Sequence, residues 1–345
     1  MKRHAGSALL LLLLVAFPAL GEKRRSVSSG AGRCVFGVLA EEVFGDQVAQ
    51  DATHVYFVNG LDSTVNRVAK SGGATQQLVM LPTDQIMDIA LDATDVYIAL
   101  IPGNDSSSTP DPGRIVAVPK GGGALRTVAS GVVAPFKLDV DDTHVYWVSV
   151  GTIQSAEETV LADGKVERAR KDGTARQTLA SDLSVPFTLV LDGSDVYFGE
   201  LGIAVGNRSA GTRRVPKSGG TVTHLDDDVA PVELAKTATH LVFYGWFADL
   251  PIISGLFAVP RSGGGAVPLE IDLGIFAGPR IANGFAYYMT EEGEFGDTTV
   301  LKRVPVTGGD ATLVRELPVA GADFEIDECG VYYVDALGRV VKSAL

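Results

Sequence analysis

The sequence contains little cysteine and few positively charged residues, and each shortage excludes some classes of protein. Only two cysteines occur among the 345 residues, which excludes a disulfide-dense scaffold. Lysine and arginine number 29 against 42 acidic residues, so the formal net charge is −13. A chain this acidic lacks the basic surface that nucleic acids and anionic membranes attract. With 46% hydrophobic residues, the composition is that of a globular protein.

Long apolar runs are also missing, with one short exception near the N-terminus. Lys2, Arg3 and His4 precede an apolar run over 9–20, and small residues at 19 and 21 suit a signal-peptidase cleavage site. The run is too short to cross a bilayer as a helix. We expect a signal peptide at 1–21, a flexible lead-in at 22–32 and a secreted or periplasmic protein, with an uncleaved anchor as the alternative. Cleavage would move the net charge from −13 to −15.

Motifs of well-known chemistry are absent as well. The sequence contains no His-Glu-x-x-His, no Gly-x-Ser-x-Gly, no phosphate-binding loop and no EF-hand pattern. His54, His144 and His240 recur at one place in a repeat, so we interpret them as turn residues rather than as ligands of a shared metal. No catalytic residue is predicted.

A short motif recurs along the rest of the chain. Its first copy is Asp51-Ala52-Thr53-His54-Val55-Tyr56, and further copies end at positions 97, 146, 197, 242, 288 and 332, about 46 residues apart. A second motif lies between these copies and reads Arg67-Val68-Ala69-Lys70-Ser71-Gly72-Gly73 in the first repeat. Its last version, 339–343, stops where the glycines should come. Periods of this length without a helical pattern are typical of propeller blades.

The two motifs predict the four antiparallel strands, A to D, of one blade. The Asp-x-Thr segment suits a tight turn between strands A and B, and Val-Tyr begins strand B. Arg-Val-x-Lys forms strand C, and the paired glycines supply the turn to strand D. We predict an all-β fold: one seven-bladed β-propeller over 33–345, with six or eight blades as the alternative.

Closure of the ring involves both cysteines. The seventh repeat has no strand D of its own, and the strand-like run 33–39 precedes the first blade. We expect this N-terminal strand to complete the seventh blade, which would bring Cys34 beside Cys329. A disulfide between them is therefore predicted, with two buried thiols as the alternative.

The repeats resemble those of YWTD-type and NHL-type β-propellers, and most of all secreted bacterial propellers. The likeness is carried by Val145-Tyr146-Trp147, by the Asp-x-Thr-x-Val-Tyr copies and by the downstream Arg-Val-x-Lys-x-Gly-Gly. No repeat carries a complete Tyr-Trp-Thr-Asp. Enzymatic propellers resembling streptogramin lyases use central histidines, and no histidine here falls at the start of a strand A. The resemblance therefore implies the fold and leaves the function open.

We expect the binding surface on the face formed by the B–C and D–A connections, here called the loop face. The B–C connections are long and dissimilar, at 102–113, 150–163, 201–210, 246–254 and 292–299, whereas the turns of the opposite face are short and alike. Aligning the starts of strand A gives a ring of candidate ligand-binding residues at the mouth of the central channel. They are Gln47, Asp88, Lys137, Thr188, Glu233, Arg280 and Asp323. A water-lined rim without a ligand is the alternative.

Two further features point to the loop face. The segment Trp246-Phe247-Ala248-Asp249-Leu250-Pro251-Ile252-Ile253 is apolar for a loop, so Trp246, Phe247 and Ile252 are candidate partner-binding residues unless they fold over the neighbouring blade. The acidic groups Glu291, Glu292, Glu294 and Asp297, and Asp226 to Asp228, leave Ca²⁺ open as a cofactor, although no other is expected.

Together these observations favour an exported, monomeric, non-catalytic binding module that recognises an unidentified protein, small molecule or glycan on the loop face. The alternative function is a metal-dependent hydrolase or lyase acting in the central channel through Asp88, Glu233 and Asp323.

Overall fold

The computed structural model describes residues 34, 36–45, 47–103, 112–154, 159–203, 209–248, 250–272, 274–292, 298–318 and 320–345. The predicted signal peptide and lead-in lie outside the described residues. Within the described part, no helix is long and apolar enough to cross a membrane.

The described residues form seven four-stranded antiparallel sheets, which are the predicted blades of a β-propeller. Strands are given from A to D. Blade 1 contains β2 (Val48–Gln50), β3 (His54–Asn59), β4 (Thr64–Ala69) and β5 (Gln76–Met80); blade 2 contains β6 (Asp84–Leu91), β7 (Asp95–Pro102), β8 (Gly113–Pro119) and β9 (Arg126–Val132). Blade 3 contains β10 (Pro135–Val140), β11 (His144–Ser149), β14 (Gly164–Arg170) and β15 (Gln177–Leu183), with a small hairpin of β12 (Ile153–Gln154) and β13 (Thr159–Val160) between its middle strands.

The remaining blades follow the same order. Blade 4 contains β16 (Pro186–Asp192), β17 (Asp195–Leu201), β18 (Ala210–Pro216) and β19 (Thr223–Asp226); blade 5 contains β20 (Val229–Lys236), β21 (His240–Phe247), β22 (Leu250–Pro260) and β23 (Val267–Ile271). Blade 6 contains β24 (Ile275–Ala282), β25 (Phe285–Glu292), β26 (Thr298–Pro305) and β27 (Thr312–Leu317); blade 7 contains β28 (Ala320–Asp327), β29 (Gly330–Asp335), β30 (Val340–Ser343) and β1 (Gly37–Ala40). Each strand A contacts the strand A of both neighbouring blades, so the seven form a closed inner ring.

The N-terminal strand closes the ring as predicted. Strand β1 pairs antiparallel with β30, with Gly37 opposite Lys342 and Val38 opposite Val341. The disulfide between Cys34 and Cys329 is present. Pairing also corrects the alignment of the last repeat, because Lys342 lies opposite Tyr332 as Arg67 lies opposite Tyr56. Lys342, rather than Arg339, is therefore the equivalent of Arg67.

The hydrophobic core lies at the seams between blades. One cluster joins Tyr56, Val58 and Val65 of blade 1 to Val96 and Ile98 of blade 2, and comparable clusters occupy the other seams. Because a blade buries its faces only against its neighbours, the blades stabilise one another through apolar contact.

The repeated aspartate builds the A–B turn and also reaches the next blade. One carboxylate oxygen of Asp51 accepts the amides of Thr53 at 2.8 Å and His54 at 2.9 Å. The other oxygen accepts the Tyr56 hydroxyl at 2.8 Å and Nζ of Lys120, from the C–D turn of blade 2, at 2.9 Å. Burial opposes ionisation, but these hydrogen bonds lower the pKa of Asp51 well below its usual range.

This bridge, here called the turn latch, fastens five of the seven seams. In each case the basic residue of one blade binds the aspartate of the blade before it. The pairs are Lys70–Asp327 at 2.8 Å, Lys120–Asp51 at 2.9 Å, Lys171–Asp92 at 2.7 Å, Lys217–Asp141 at 3.0 Å, and Arg261–Asp192. The aspartate of the first motif and the basic residue of the second motif are therefore the two partners of one ion pair between blades.

Candidate functional site at the channel mouth

Six of the seven predicted channel residues occupy one level of the inner ring. Pairing between strands A and B sets Asp88 opposite Ala99, Lys137 opposite Val148, Thr188 opposite Gly199 and Glu233 opposite Tyr244. Gln47 and Asp323 hold the same position in their own blades. We call these six residues the upper level, which lies near the loop face because strand A follows the D–A connection.

Arg280 lies one level deeper than the repeat alignment predicted. It is opposite Tyr287, just as Asp139 is opposite Tyr146 and Glu325 is opposite Tyr332. Pairing sets Ala277, opposite Met289, at the upper-level position of blade 6. The register then shifts between Ala277 and Arg280, where Gly278 has φ +103°. A Cβ there would come within 2.9 Å of the Tyr287 carbonyl oxygen, so this position accepts no larger side chain without a shift.

The Arg280 guanidinium joins three blades at the channel. Its Nη1 donates to Glu233 Oε1 of blade 5 at 2.6 Å, its Nη2 binds Asp323 Oδ1 of blade 7, and its Nε donates to Glu325 Oε1 of blade 7 at 3.2 Å. The group also lies over the ring of Phe324, 5.4 Å from the centroid. Three of the predicted channel residues are thus in direct contact, and we call this group the Arg280 hub.

Three upper-level side chains accept hydrogen bonds from backbone amides of the next blade. Strand A is the inner edge of each sheet, so alternate amides face the channel without a ladder partner. Asp88 Oδ2 accepts the amide of Leu138 at 2.8 Å, and Thr188 Oγ1 accepts that of Leu234 at 3.1 Å. Asp323 Oδ2 accepts the amide of Val48 at 2.9 Å. These contacts explain why a polar residue stands at this place in most repeats.

Lys137 and Gln47 retain hydrogen-bonding capacity after these contacts. Lys137 Nζ donates to Asp88 Oδ1 at 3.1 Å, and its side chain stays 32% exposed. Gln47 Nε2 donates to the Met87 carbonyl at 2.9 Å, while the buried Oε1 has no partner among the described residues.

Sequence reasoning missed the second level of the channel. Asp139 lies two residues after Lys137 and accepts the amide of Leu191 at 3.1 Å, and Glu325 lies two residues after Asp323. Side chains two apart in a strand share a face, so the alternation of strand A contained the signal. Tyr244, which is opposite Glu233 on strand B, was also missed.

The channel holds more acid than base. Five carboxylates, Asp88, Asp139, Glu233, Asp323 and Glu325, lie in the field of Lys137 and Arg280, and Asp139 is also in the field of Lys236. Burial raises the pKa of Asp323 to about 7, and Glu233 adds to the rise although Arg280 opposes it. Burial likewise raises the pKa of Asp88, Asp139 and Glu325. The pKa of Tyr244 is raised by burial and then by Glu233 and Asp323, which places its phenol within their field.

The segment carrying Trp246 and Phe247 is a hairpin rather than the predicted loop. Strands β21 and β22 continue to Phe247 and Leu250, which are opposite each other. Both aromatic side chains are half-buried: Trp246 packs beside a cluster that includes Leu201 of blade 4, and Phe247 meets Phe257 edge-on at 5.2 Å. Aromatic and β-branched residues suit a strand as well as a surface loop, which explains the difference. The Ile252 side chain lies outside the described residues.

Several of the acidic groups considered for Ca²⁺ have other partners. Asp226 accepts the amides of Val229 at 3.0 Å and Ala266 at 2.9 Å, and Asp227 binds Arg213 at 3.0 Å. Glu292 binds Lys302 at 2.7 Å, while Glu294 and Asp297 lie outside the described residues. In the part of the chain that is described, no group of three or more His, Cys, Asp or Glu side chains could hold a metal ion.

Solved structures share this fold. The chain matches a streptogramin B lyase with a TM-score of 0.59 and 14% identity, covering 89% of this chain and 95% of the lyase. It matches the Niastella koreensis GH74 enzyme with a TM-score of 0.60 and 13% identity, over 90% of this chain and 54% of that one. A chain of a nidogen/laminin complex matches with a TM-score of 0.46 and 17% identity, over 67% and 80%. At these identities the likeness extends to the β-propeller fold alone. No protein-family model and no curated protein matches the sequence.

Proposed function

We propose that the protein is an exported binding module that takes a small polar ligand, such as the hydroxyl-rich end of a glycan, at the channel mouth. The observation that carries this proposal is the convergence of polar side chains from separate blades on one cluster in which several groups keep unused hydrogen-bonding capacity. Export is supported by the signal-like N-terminus and by the disulfide.

The unused hydrogen-bonding capacity of these side chains suits a ligand that both donates and accepts hydrogen bonds. An ammonium group has three donors, and among the described residues the Lys137 ammonium donates to Asp88 alone. Gln47 Oε1 needs a donor, because a buried acceptor without one costs free energy. The Tyr244 hydroxyl has no hydrogen-bond partner among the described residues and lies in the field of Glu233 and Asp323. Hydroxyl groups supply donors and acceptors together, which favours a polyhydroxylated ligand.

The metal-dependent enzyme alternative gains no support from the same geometry. Its three carboxylates would have to be available to a metal or a substrate. Asp88 instead binds Lys137 and the Leu138 amide, while Glu233 and Asp323 bind Arg280. A binding role is compatible with these contacts because it leaves them in place.

Titration of the purified protein against an arrayed panel of polyols and oligosaccharides tests the proposal. Lys137→Met should weaken binding about tenfold or more, since a hydrogen bond to a charged group is lost. Lys165→Met is the matched control, because this lysine lies in blade 3 too and is exposed on strand β14. Equal affinity of the two variants for every compound bound by the wild type would refute the channel mouth as the binding site.

A further inference from the structure

Four large hydrophobic side chains are exposed together on the loop face, where blades 7 and 1 meet. Phe44 is 50% exposed, Leu61 73%, Met80 51% and Leu337 38%. They come from four separate segments: the D–A connection that follows β1, the B–C turn of blade 1, the end of β5, and the B–C turn of blade 7. Exposed apolar side chains gathered in this way mark interaction surfaces more often than isolated ones. We call these four residues the apolar ridge.

Hydrogen bonds hold the centre of the ridge in place. Asn59 Oδ1 accepts the amides of Phe44 at 3.2 Å and Leu61 at 3.3 Å, and its Nδ2 donates to the Glu42 carbonyl at 3.1 Å. The Gly60 amide donates to the Phe44 carbonyl at 2.6 Å. The two turns that carry Phe44 and Leu61 are therefore held together by hydrogen bonds to one residue, Asn59.

Backbone contacts bring the outer members of the ridge next to this centre. The Val43 amide donates to the Gly338 carbonyl at 2.7 Å, which sets Leu337 beside the Phe44 turn. The Leu81 amide donates to the Ser63 carbonyl at 2.9 Å, which sets Met80 beside the Leu61 turn. The backbone segments that carry the four side chains are thus neighbours, in the order Leu337, Phe44, Leu61 and Met80.

Two non-glycine residues beside the ridge have left-handed backbone conformations. Glu42 has φ +60° and Ser63 has φ +50°, and such conformations cost free energy for side chains with a Cβ. The strain lies in the two turns that expose Phe44 and Leu61. Because hydrogen bonds already fix the backbone of these two turns, binding would cost mainly side-chain rather than backbone conformational entropy.

The surroundings of the ridge are acidic. Glu41, Glu42 and Asp62 are exposed around it. The neighbouring cation, Arg339, is neutralised by Asp335, to which its Nη2 and Nε donate at 2.6 and 2.8 Å. A partner that covers the ridge would therefore meet apolar side chains in the middle and negative charge at the rim.

We propose that the apolar ridge is a docking surface for a polypeptide segment with apolar side chains flanked by lysine or arginine. A second copy of this chain fits poorly, because a two-fold contact would set each acidic rim against itself. An anionic lipid surface is repelled by the same charges. The inference rests on the proposed role as a binding module and adds a second occupant of the loop face, apart from the channel mouth.

Binding to arrayed peptides tests the ridge directly. The array carries short apolar peptides flanked either by lysine or by glutamate, and the full protein is the probe. We expect preference for the lysine-flanked set, and at least about tenfold weaker binding by F44S/L61S, since exposed apolar anchors dominate such contacts. The matched control is V267S/L313S, because Val267 and Leu313 are similarly exposed, at 55% and 56%, on the outer strands of blades 5 and 6.

Several outcomes would overturn the inference. These are no preference for lysine flanks, unchanged binding by F44S/L61S, a wild-type dimer that F44S/L61S dissociates in sedimentation, or ridge-dependent binding to phosphatidylserine vesicles. Peptide binding that K137M abolishes and F44S/L61S retains would reject the ridge while keeping the channel mouth. Glycan binding lost in K137M alongside normal peptide binding would support both sites separately.

Discussion

At the scale of single residues, Arg280 forms three ion pairs at the channel. Its guanidinium is held by Glu233, Asp323 and Glu325, so one cation binds three partly buried carboxylates. Burial opposes the charge of Arg280, but these carboxylates raise its pKa well above the usual value, so it remains ionised. The hub therefore binds three strands together, and Asp88 and Asp139 are further acidic side chains of the channel outside it.

Arg280→Met should destabilise the fold strongly. Removing the cation leaves three partly buried carboxylates facing one another. Loss of one partner from a fully buried pair typically costs about 3–5 kcal/mol, which is the upper limit here. Chemical denaturation measures the change in the free energy of unfolding. Arg315→Met, at an exposed position in the same blade, should change it by less than about 0.5 kcal/mol. Similar losses in both variants would show that the hub is not a stabilising contact.

The channel carboxylates also predict how stability depends on pH. Asp323 has a pKa of about 7 in the folded protein and 3.8 as its ordinary value, so the folded state binds the extra proton between these values. The free energy of unfolding should therefore fall as pH rises from about 4 to 7, by up to about 1.4 kcal/mol per pH unit for one proton. Below this range the turn-latch aspartates have the opposite effect on the free energy of unfolding. Their pKa values are lowered in the folded protein, so the stability that they contribute is lost as the pH falls.

Denaturation curves of wild type and Asp323→Asn, recorded across this pH range, test the assignment. The variant should show a shallower decline, because it cannot take up the proton. Asp62→Asn is the control, since Asp62 is exposed and outside the channel. A decline of equal slope in the wild type and Asp323→Asn would remove Asp323 as the titrating group.

At the scale of strands and turns, the turn latch and the Arg280 hub join different seams between blades. The turn latch joins five seams, but the seams between blades 5 and 6 and between blades 6 and 7 lack both of its partners. Thr237 replaces the aspartate in blade 5 and Val306 replaces the lysine in blade 6, as the strand pairing shows. In the next seam, Ala282 and Leu345 hold these two positions. The Arg280 hub joins blades 5, 6 and 7, which are the blades of these two seams.

Installing the missing latch should stabilise the seam between blades 5 and 6. We expect T237D/V306K to gain about 0.5–1 kcal/mol over the sum of the single variants, since the other latches are partly exposed ion pairs. A double-mutant cycle by chemical denaturation measures this coupling. Additive single effects would show that the turn latch contributes no pairing energy at this seam.

The repeats made the blades predictable, whereas contacts between blades were harder to foresee. Asp51, Tyr56 and Lys70 mark turns and strands through local chemistry, which sequence spacing captures. Nothing in the spacing says that Lys120 binds Asp51 of the blade before it. The position of Arg280 at the second level of the channel was not predicted for a similar reason. The irregularity at Gly278 changes strand pairing without changing the repeat length. Alignment of the repeats was enough to group six of the seven predicted channel residues at one level of the inner ring, whereas the second level required the register of strands A and B.

At the scale of the whole molecule, the ring is closed by strand pairing and by a covalent bond. Strand β1 completes blade 7, and the Cys34–Cys329 disulfide joins residues 295 positions apart. A crosslink over so long a loop removes much of the conformational entropy of the unfolded chain.

Replacing Cys34 and Cys329 by serine should lower the free energy of unfolding by up to about 5 kcal/mol, the value expected for closing a long loop. Chemical denaturation with and without a reductant checks this, and reduced wild type should match the double variant. If reduction leaves the midpoint unchanged, strand pairing alone closes the ring.

The placement of β1 also has a consequence for folding order. Each turn latch joins a blade to the one before it, so blades 1 to 5 can be fastened one after another as the chain emerges. Strand β1 precedes all of them in the chain, yet its partner β30 is synthesised after every other described strand. Until then β1 is an open strand edge, free to pair with the β30 of another molecule. Domain-swapped oligomers formed during refolding at high concentration should therefore exchange this strand.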